Sequence, residues 1–400
     1  MKILFITESF PFPLDSGGKI VSYQMLRMLS KQHAVHLVAL SDQQPSRAAF
    51  QSIRSFGIKT HVFVSKKRNP WYRQSKKELF SAFLHLKPTY LESYLDSSMK
   101  YMVDKLLQKQ RFDVIHVDHL SMVQYFPIKK SCTWIIQEHN IEHSLYLNFY
   151  QSSPLLSKEW AIHLYNYLTT ARLEKLWLHK VDQIIVLSKK DYSALVQQKK
   201  SIHKLLIIPP YMSLSRIKNH RVKKSKNLLF IGNLWWKPNL DAIKWFIHDI
   251  LPLVHKKEPS VRLLVVGDGA SKFSSISLPN VRLYEKQKDI VPFLTQANIF
   301  ILPFRIGQGV RIKALMAFSC ELPVVATAVG MSGMDTCAEK EYLLADTPMG
   351  FAEQIISLIR SPKQQTALVM RAKMFLQKHH DPQRIRSCLL HNYAVVSMSD

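Results

Sequence analysis

Residues 301–330 read ILPFRIGQGVRIKALMAFSCELPVVATAVG, and this stretch says most about how the chain folds. An apolar run leads into a glycine-flanked turn, Gly307-Gln308-Gly309, then a helical pattern, then a second apolar run after Pro323. That succession is a β-loop-α-β unit, which implies a parallel sheet, because a crossover helix must carry the chain back before the next strand can pair. The loop falls at the carboxyl end of a strand, where loop amides and a helix N-terminus converge on ligands in open α/β sheets. Arg305, Arg311 and Lys313 gather around the turn, as an anionic, phosphate-bearing ligand requires.

Outward from this unit the same alternation recurs. Near-continuous apolar runs at Lys2–Thr7, Val35–Leu40, His61–Val64, Val114–Val117, Thr133–Ile136, Gln183–Leu187 and Leu205–Ile208 read as strands buried on both faces. Helical patterns separate them at Lys19–Lys31, about Lys76–Leu86, Ser93–Gln110 and Ser157–Lys180. The polar, basic segment Ser213–Lys226 (SLSRIKNHRVKKSK) breaks the pattern and reads as a linker. Strands then resume at Asn227–Ile231, Arg262–Val266, Val281–Tyr284, Ile299–Leu302 and Val324–Ala326, with helices from Leu240, near Ile290–Ala297 and from Arg311. Three tail helices start at Pro348, Pro362 and Pro382, where a missing N–H costs nothing. The expectation is α/β: an N-terminal Rossmann-like domain over 1–212, a linker over 213–226, and a second such domain over 227–380. The final helix, within 381–400, is expected to pack back on the first domain.

Composition narrows the function. With 400 residues, 47% of them hydrophobic and 21% charged, the chain reads as a soluble two-domain protein. No apolar run approaches the roughly 18–20 residues that span a bilayer. The opening MKILFIT reads as a first strand and not a secretory signal, and Cys132, Cys320, Cys337 and Cys388 show neither metal spacing nor a disulfide framework. A cytoplasmic protein is expected. Lys and Arg outnumber Asp and Glu by 55 to 29, which suits a polyanionic partner or, equally, a lysine-rich solvated surface. Lys59–Lys87 holds eight Lys/Arg against one acid, Glu78, interleaved with Trp71, Tyr72, Leu79, Phe80, Phe83 and Leu84. That segment reads as a membrane-surface contact or as a helix covering the sheet.

After the first strand, ESFPFPLDSGGKI places Gly17-Gly18 before a helix, a second place where backbone and a helix N-terminus meet a ligand. It is not a G-x-G-x-x-G fingerprint, which disfavours dinucleotide enzymes, and no Walker loop, G-x-S-x-G elbow or H-E-x-x-H motif appears. Asp118 and His119 follow one strand at its carboxyl end; Glu138, His139 and Asn140 follow the next, where structural hydrogen bonding is expected of at least two of them. His379-His380 reads as a surface pair at a helix end.

The chain resembles the family-4 retaining glycosyltransferases of GT-B fold. Lys2–Leu40, Gln137–Tyr146, Ala171–Asp191, Phe230–Phe246, Leu263–Gly269, residues 301–330 and Leu343–Ala352 carry the resemblance, in the family's order and spacing. It implies two Rossmann-like domains with parallel β-sheets facing a deep interdomain cleft. The implied reaction is sugar transfer from a nucleotide-sugar donor to a glycan or lipid-linked acceptor, with retention, in polysaccharide, lipopolysaccharide or glycolipid synthesis. It implies no metal and no cofactor, since positioning and electrostatics do the work. A lipid-linked acceptor would place the protein peripherally on an anionic membrane surface, and no specific nucleic-acid partner is expected. The catalytic residues this implies are Asp118, His119 and Gln308. The donor-binding residues are Gly17, Gly18, Lys237, Gly307, Gly309, Val310, Arg311, Lys313 and Met316.

Several positions depart from the family pattern. Asn233 replaces an arginine, Pro210-Tyr211 stiffens a turn, and Gln308 and Met316 occupy two glutamate positions with seven residues between them. Methionine cannot accept hydrogen bonds from ribose hydroxyls, and Glu321 lies too far round the helix to stand in. A catalytically impaired binding or scaffold subunit is therefore the alternative reading.

Overall fold

The structure is a computed structural model that describes residues 1–65, 76–198, 205–212, 225–273 and 280–396. The apolar runs of the first half form β1 (Lys2–Thr7), β2 (Ala34–Ser41), β3 (Lys59–Val64), β4 (Val114–Asp118), β5 (Thr133–Glu138), β6 (Gln183–Val186) and β7 (Leu205–Ile207). They pair in the order β3-β2-β1-β4-β5-β6-β7, every pair parallel. Every residue of β4, β5 and β6 is buried, as strands covered on both faces must be.

The connections are α1 (Gly17–Leu29), α2 (Arg47–Arg54), α3 (Lys76–Leu84), α4 (Ser97–Lys109), α5 (Glu142–Gln151), α6 (Lys158–Lys180) and α7 (Lys189–Gln198). Side chains of Ser16, Ser46, Asp96 and Ser157 accept backbone N–H groups at the starts of α1, α2, α4 and α6, satisfying donors that the helix leaves open. Helices α2, α5 and α7 were not expected. Each is only eight to ten residues long, fewer than three turns, too short for a helical repeat to stand out from its surroundings.

The second unit repeats the design with β8 (Asn227–Ile231), α8 (Lys237–Trp245), α9 (Leu251–Lys257), β9 (Arg262–Val266), β10 (Val281–Tyr284), α10 (Val291–Gln296), β11 (Ile299–Leu302), α11 (Ile312–Ser319), β12 (Val324–Ala326), β13 (Leu343–Leu344), α12 (Pro348–Arg360) and α13 (Pro362–His379). Its strands run β10-β9-β8-β11-β12-β13, again parallel. The last helix, α14 (Pro382–Val396), follows. The two compact units are Met1–Pro210 with Gln383–Asp400, and Tyr211–Pro382. The expected linker lies outside the described residues from 213 to 224; Ser225 and Lys226 lead directly into β8. Of the basic segment at 59–87, residues 66–75, with Trp71 and Tyr72, are likewise outside them.

Strand order matters for function. In the first unit the chain leaves β1 toward β2 on one side and later returns to β4 on the other; in the second, β8 is flanked by β9 and β11 in the same way. Each junction is a topological switch point, where loops diverge and leave a crevice outside the carboxyl ends of the strands.

Candidate active site

In the first unit, register brings three strand ends together: Thr7 pairs with Asp118, and Asp118 with Gln137. Asp118 is fully buried. Its Oδ2 accepts from Thr7 Oγ1 (2.8 Å) and Ser22 Oγ (2.5 Å), and its Oδ1 lies 2.6 Å from His139 Nε2. A carboxylate has no proton to give, so His139 donates through Nε2. Burial opposes the charge on Asp118, but His139 and His119 outweigh it and hold the carboxyl well below the usual carboxylate range.

His119 adopts φ 82°, a left-handed backbone that few non-glycine residues take and that concentrates at functional sites. Its ring stacks on His139 with centroids 3.6 Å apart and planes at 21°. Its Nδ1 lies 3.5 Å from Asp118 Oδ2 and its Nε2 3.8 Å from Glu8 Oε1. Although burial works against a charged ring, Glu8 and Asp118 raise the His119 pKa to about 10. Burial and the charge on His119 lower that of His139. The stack therefore pairs one imidazolium with one neutral ring. Gly17 opens α1, and Gly18 faces both rings: a Cβ there would lie 3.5 Å from His119 Nε2 and 3.8 Å from His139 Nδ1.

Deeper in the unit, Gln137 Nε2 lies 3.1 Å from His139 Nε2, and His116 Nδ1 is bonded to Tyr393 Oη of α14. Glu138 is buried with neither carboxyl oxygen hydrogen-bonded; burial, then Glu174 and Glu142, push its pKa well up.

Asp118, His119 and His139 present ligand atoms within 4.8 Å of one another, so they were weighed as a metal centre. They do not fit one. Two face-to-face rings carry their in-plane lone pairs side by side instead of aiming them at one ion, and both Asp118 oxygens are already engaged.

In the second unit the site lies at the β8/β11 junction. Gly307 (φ 127°) and Gly309 (φ 79°) take conformations that side chains resist. A Cβ on Gly307 would come within 2.8 Å of Arg311 Nη2, since Arg311 folds back beneath the turn. Its guanidinium lies over Phe304 (4.9 Å) and donates to the carbonyls of Val329 and Gln308. Lys313 projects from α11 toward the loop after β8, where Nζ donates to Asn239 Oδ1 at 2.6 Å and lies over Phe230 and Phe304. A Cβ on Gly232 would strike that ammonium at 2.6 Å. Burial lowers the Arg311 pKa to about 10; burial and then Arg311 lower that of Lys313 to about 7. No carboxylate pairs with either cation among the described residues. Lys237 begins α8, Gln308 is half-buried between the glycines, and Val310 packs on the core.

The structure revises several expected roles. Asp118 lies beneath the site and orients the histidines; it is too buried to touch a ligand. His139, one of three residues of which at least two were expected to be structural, belongs to the constellation of the first unit, and Glu8 and Ser22 join it without having been anticipated; in the second unit Asn239 stands beside Lys313, also unanticipated. For Glu8 and His139 the signal was positional, since each directly follows a strand, whereas Ser22 and Asn239 lie inside helices and carry no such signal. Arg305 is no phosphate ligand, being bonded to Asp241 at 2.6 and 3.1 Å and stacked over Trp245. Met316 is 7% exposed and packs in the core. Glu321, beyond the far end of α11, pairs with Lys373 at 2.9 Å. His380, expected at the surface, is buried against Phe375.

Residues 225–361 match the family model described as Glycosyl transferases group 1. A Klebsiella pneumoniae protein, described as an uncharacterized 44.6 kDa protein in the cps region, is 21% identical, with 97% of this chain and 98% of that protein covered. Sucrose-phosphate synthase from Thermosynechococcus elongatus superposes at TM-score 0.70 with 15% identity, covering both chains fully. HepE of Anabaena, in complex with UDP and glucose, gives 0.68 with 14% identity over 99% and 100% of the two chains. Two parallel Rossmann-like sheets are the architecture of the GT-B fold, which these structures share. Residues 225–361 are similar to the glycosyl transferases group 1.

Proposed function

We propose that the protein transfers a sugar from a nucleotide diphosphate sugar to a glycan or lipid-linked acceptor, with retention of configuration, in cell-surface polysaccharide or glycolipid synthesis. One observation carries the reading: Arg311 beneath the glycine turn and Lys313 beside Asn239 are partly buried cations without a carboxylate partner among the described residues. Buried positive charge is costly unless an anion compensates it, and a diphosphate supplies one. The second unit holds the donor, with Lys237, Arg311 and Lys313 stabilising the departing diphosphate and glycine amides facing it. These cations do the work that a metal does elsewhere, so no metal is required. The first unit holds the acceptor and presents His119 to the transferred sugar, oriented by Asp118 and His139. The Klebsiella pneumoniae relative from the cps region supports the polysaccharide setting.

A thermal-shift screen against UDP-, GDP- and ADP-sugars tests this first. A ligand at about 100 times its Kd adds roughly 2.7 kcal/mol, a shift of several degrees for domains of this size. Transfer to acceptor, followed by determination of the anomeric configuration of the product, tests the remainder. The second reading, a binding subunit without turnover, is favoured by Met316, because α11 presents no carboxylate for ribose. Donor binding without any transfer or donor hydrolysis would establish that reading and overturn the first.

A further inference from the structure

We propose that the exposed face built from α3 and α6 is a docking surface for an anionic lipid bilayer. The two helices are joined by Tyr165, whose ring packs on Phe83 at 4.2 Å and whose Oη reaches the carbonyls of Ala82 (2.8 Å) and Lys87 (3.1 Å). That contact decides which side of α3 faces outward. Ala82 is buried, while Phe80 and Leu84, one turn apart, are each 69% exposed, and Leu86 just past the helix is 58% exposed. Leu86 also takes φ 49° in the turn that closes the helix, a position glycine favours, and its side chain gains no burial there. Large apolar side chains gathered along one edge form a patch, unlike the single exposed residues common on any surface.

Beside it, α6 exposes Leu168 and Leu176, on one helical stripe with Arg172 and Lys175. The exposed charged residues of α6 between 158 and 175 are Lys158, Arg172 and Lys175 against Glu159 alone. Apolar tips set among cations match the boundary of an anionic bilayer, where the tips enter the acyl region and the ammonium and guanidinium groups stay at the level of the phosphates. A second copy of the chain is a poorer occupant, since each carries a net charge of +26. A nucleic acid would engage the cations but leave the leucines in water.

The purpose of the surface rests on the lipid-linked-acceptor reading, but its test does not. Full-length protein is floated with phosphatidylcholine vesicles, with and without phosphatidylglycerol. The wild type is expected to float with the anionic vesicles only. Phe80→Ser/Leu84→Ser should lower that partition by about tenfold or more, and Arg172→Glu/Lys175→Glu should lower it in a salt-sensitive way. Neither pair touches the nucleotide site, so the nucleotide-sugar thermal shift should be unchanged in both. Undiminished flotation of both variants overturns the surface and leaves the glycosyltransferase reading standing. Flotation that depends on α3 without any nucleotide-sugar shift does the reverse. Loss of self-association or of DNA retention in the variants, without flotation by the wild type, overturns the bilayer as occupant.

Discussion

On the proposed reading, donor binding turns on Lys313. Its ammonium, lowered to about 7 in the free protein by burial and Arg311, must be charged to meet a phosphate. Binding therefore takes up a proton above pH 7. The sign follows directly: affinity is full below pH 7 and weakens as pH rises, by up to about tenfold per unit until the bound-state pKa is reached. Calorimetric titration of a nucleotide-sugar at pH 6.5 and pH 8.5 should show this loss. Lys313→Met should weaken binding about 10- to 100-fold and abolish the pH slope. Asp118→Asn separates the two units' roles. It replaces the carboxylate beside His139 with a neutral amide and removes a negative charge that favours the protonated form of His119, so transfer should slow about 100-fold. Nucleotide binding by the second unit should be unchanged, and loss of both would refute the assignment. The identity of Asp118 and His119 was legible at a strand end. That Asp118 lies beneath the site could not be read, because burial depends on Thr7, Ser22 and His139 arriving from other elements.

At the scale of elements, the turn into α11 and the helix α14 carry distinct expectations. Gly307→Ala places a Cβ against Arg311 in a backbone region that alanine resists. It should cost about 1–3 kcal/mol of stability and weaken donor binding, read by thermal unfolding with and without nucleotide-sugar. Tyr393→Phe leaves buried His116 without its hydroxyl partner, at a cost of about 1–3 kcal/mol. If the melting temperature were unchanged, α14 would not be fastened through this bond. The strands were readable because burial on both faces forces unbroken apolar runs. Helices α5 and α7 were not, because each spans only ten residues, too few for the apolar repeat to stand out. β13, two residues long, has no local signal at all.

For the whole molecule, neutralising the departing diphosphate with side-chain cations predicts that transfer persists in excess EDTA within about twofold; a larger loss restorable by a divalent ion would overturn that. The amino-acid sequence by itself determined that there are two parallel α/β units, where their strands lie, and where a glycine turn precedes α11. Those features are local: apolar runs, turn glycines and helix starts are written in neighbouring residues. Tertiary structure alone decided that Arg305 is spent on Asp241, that Met316 belongs to the core, and that His139 stacks on His119. Each of those outcomes depends on which distant side chain arrives to compete for the same charge or space, and no single stretch of chain contains that information.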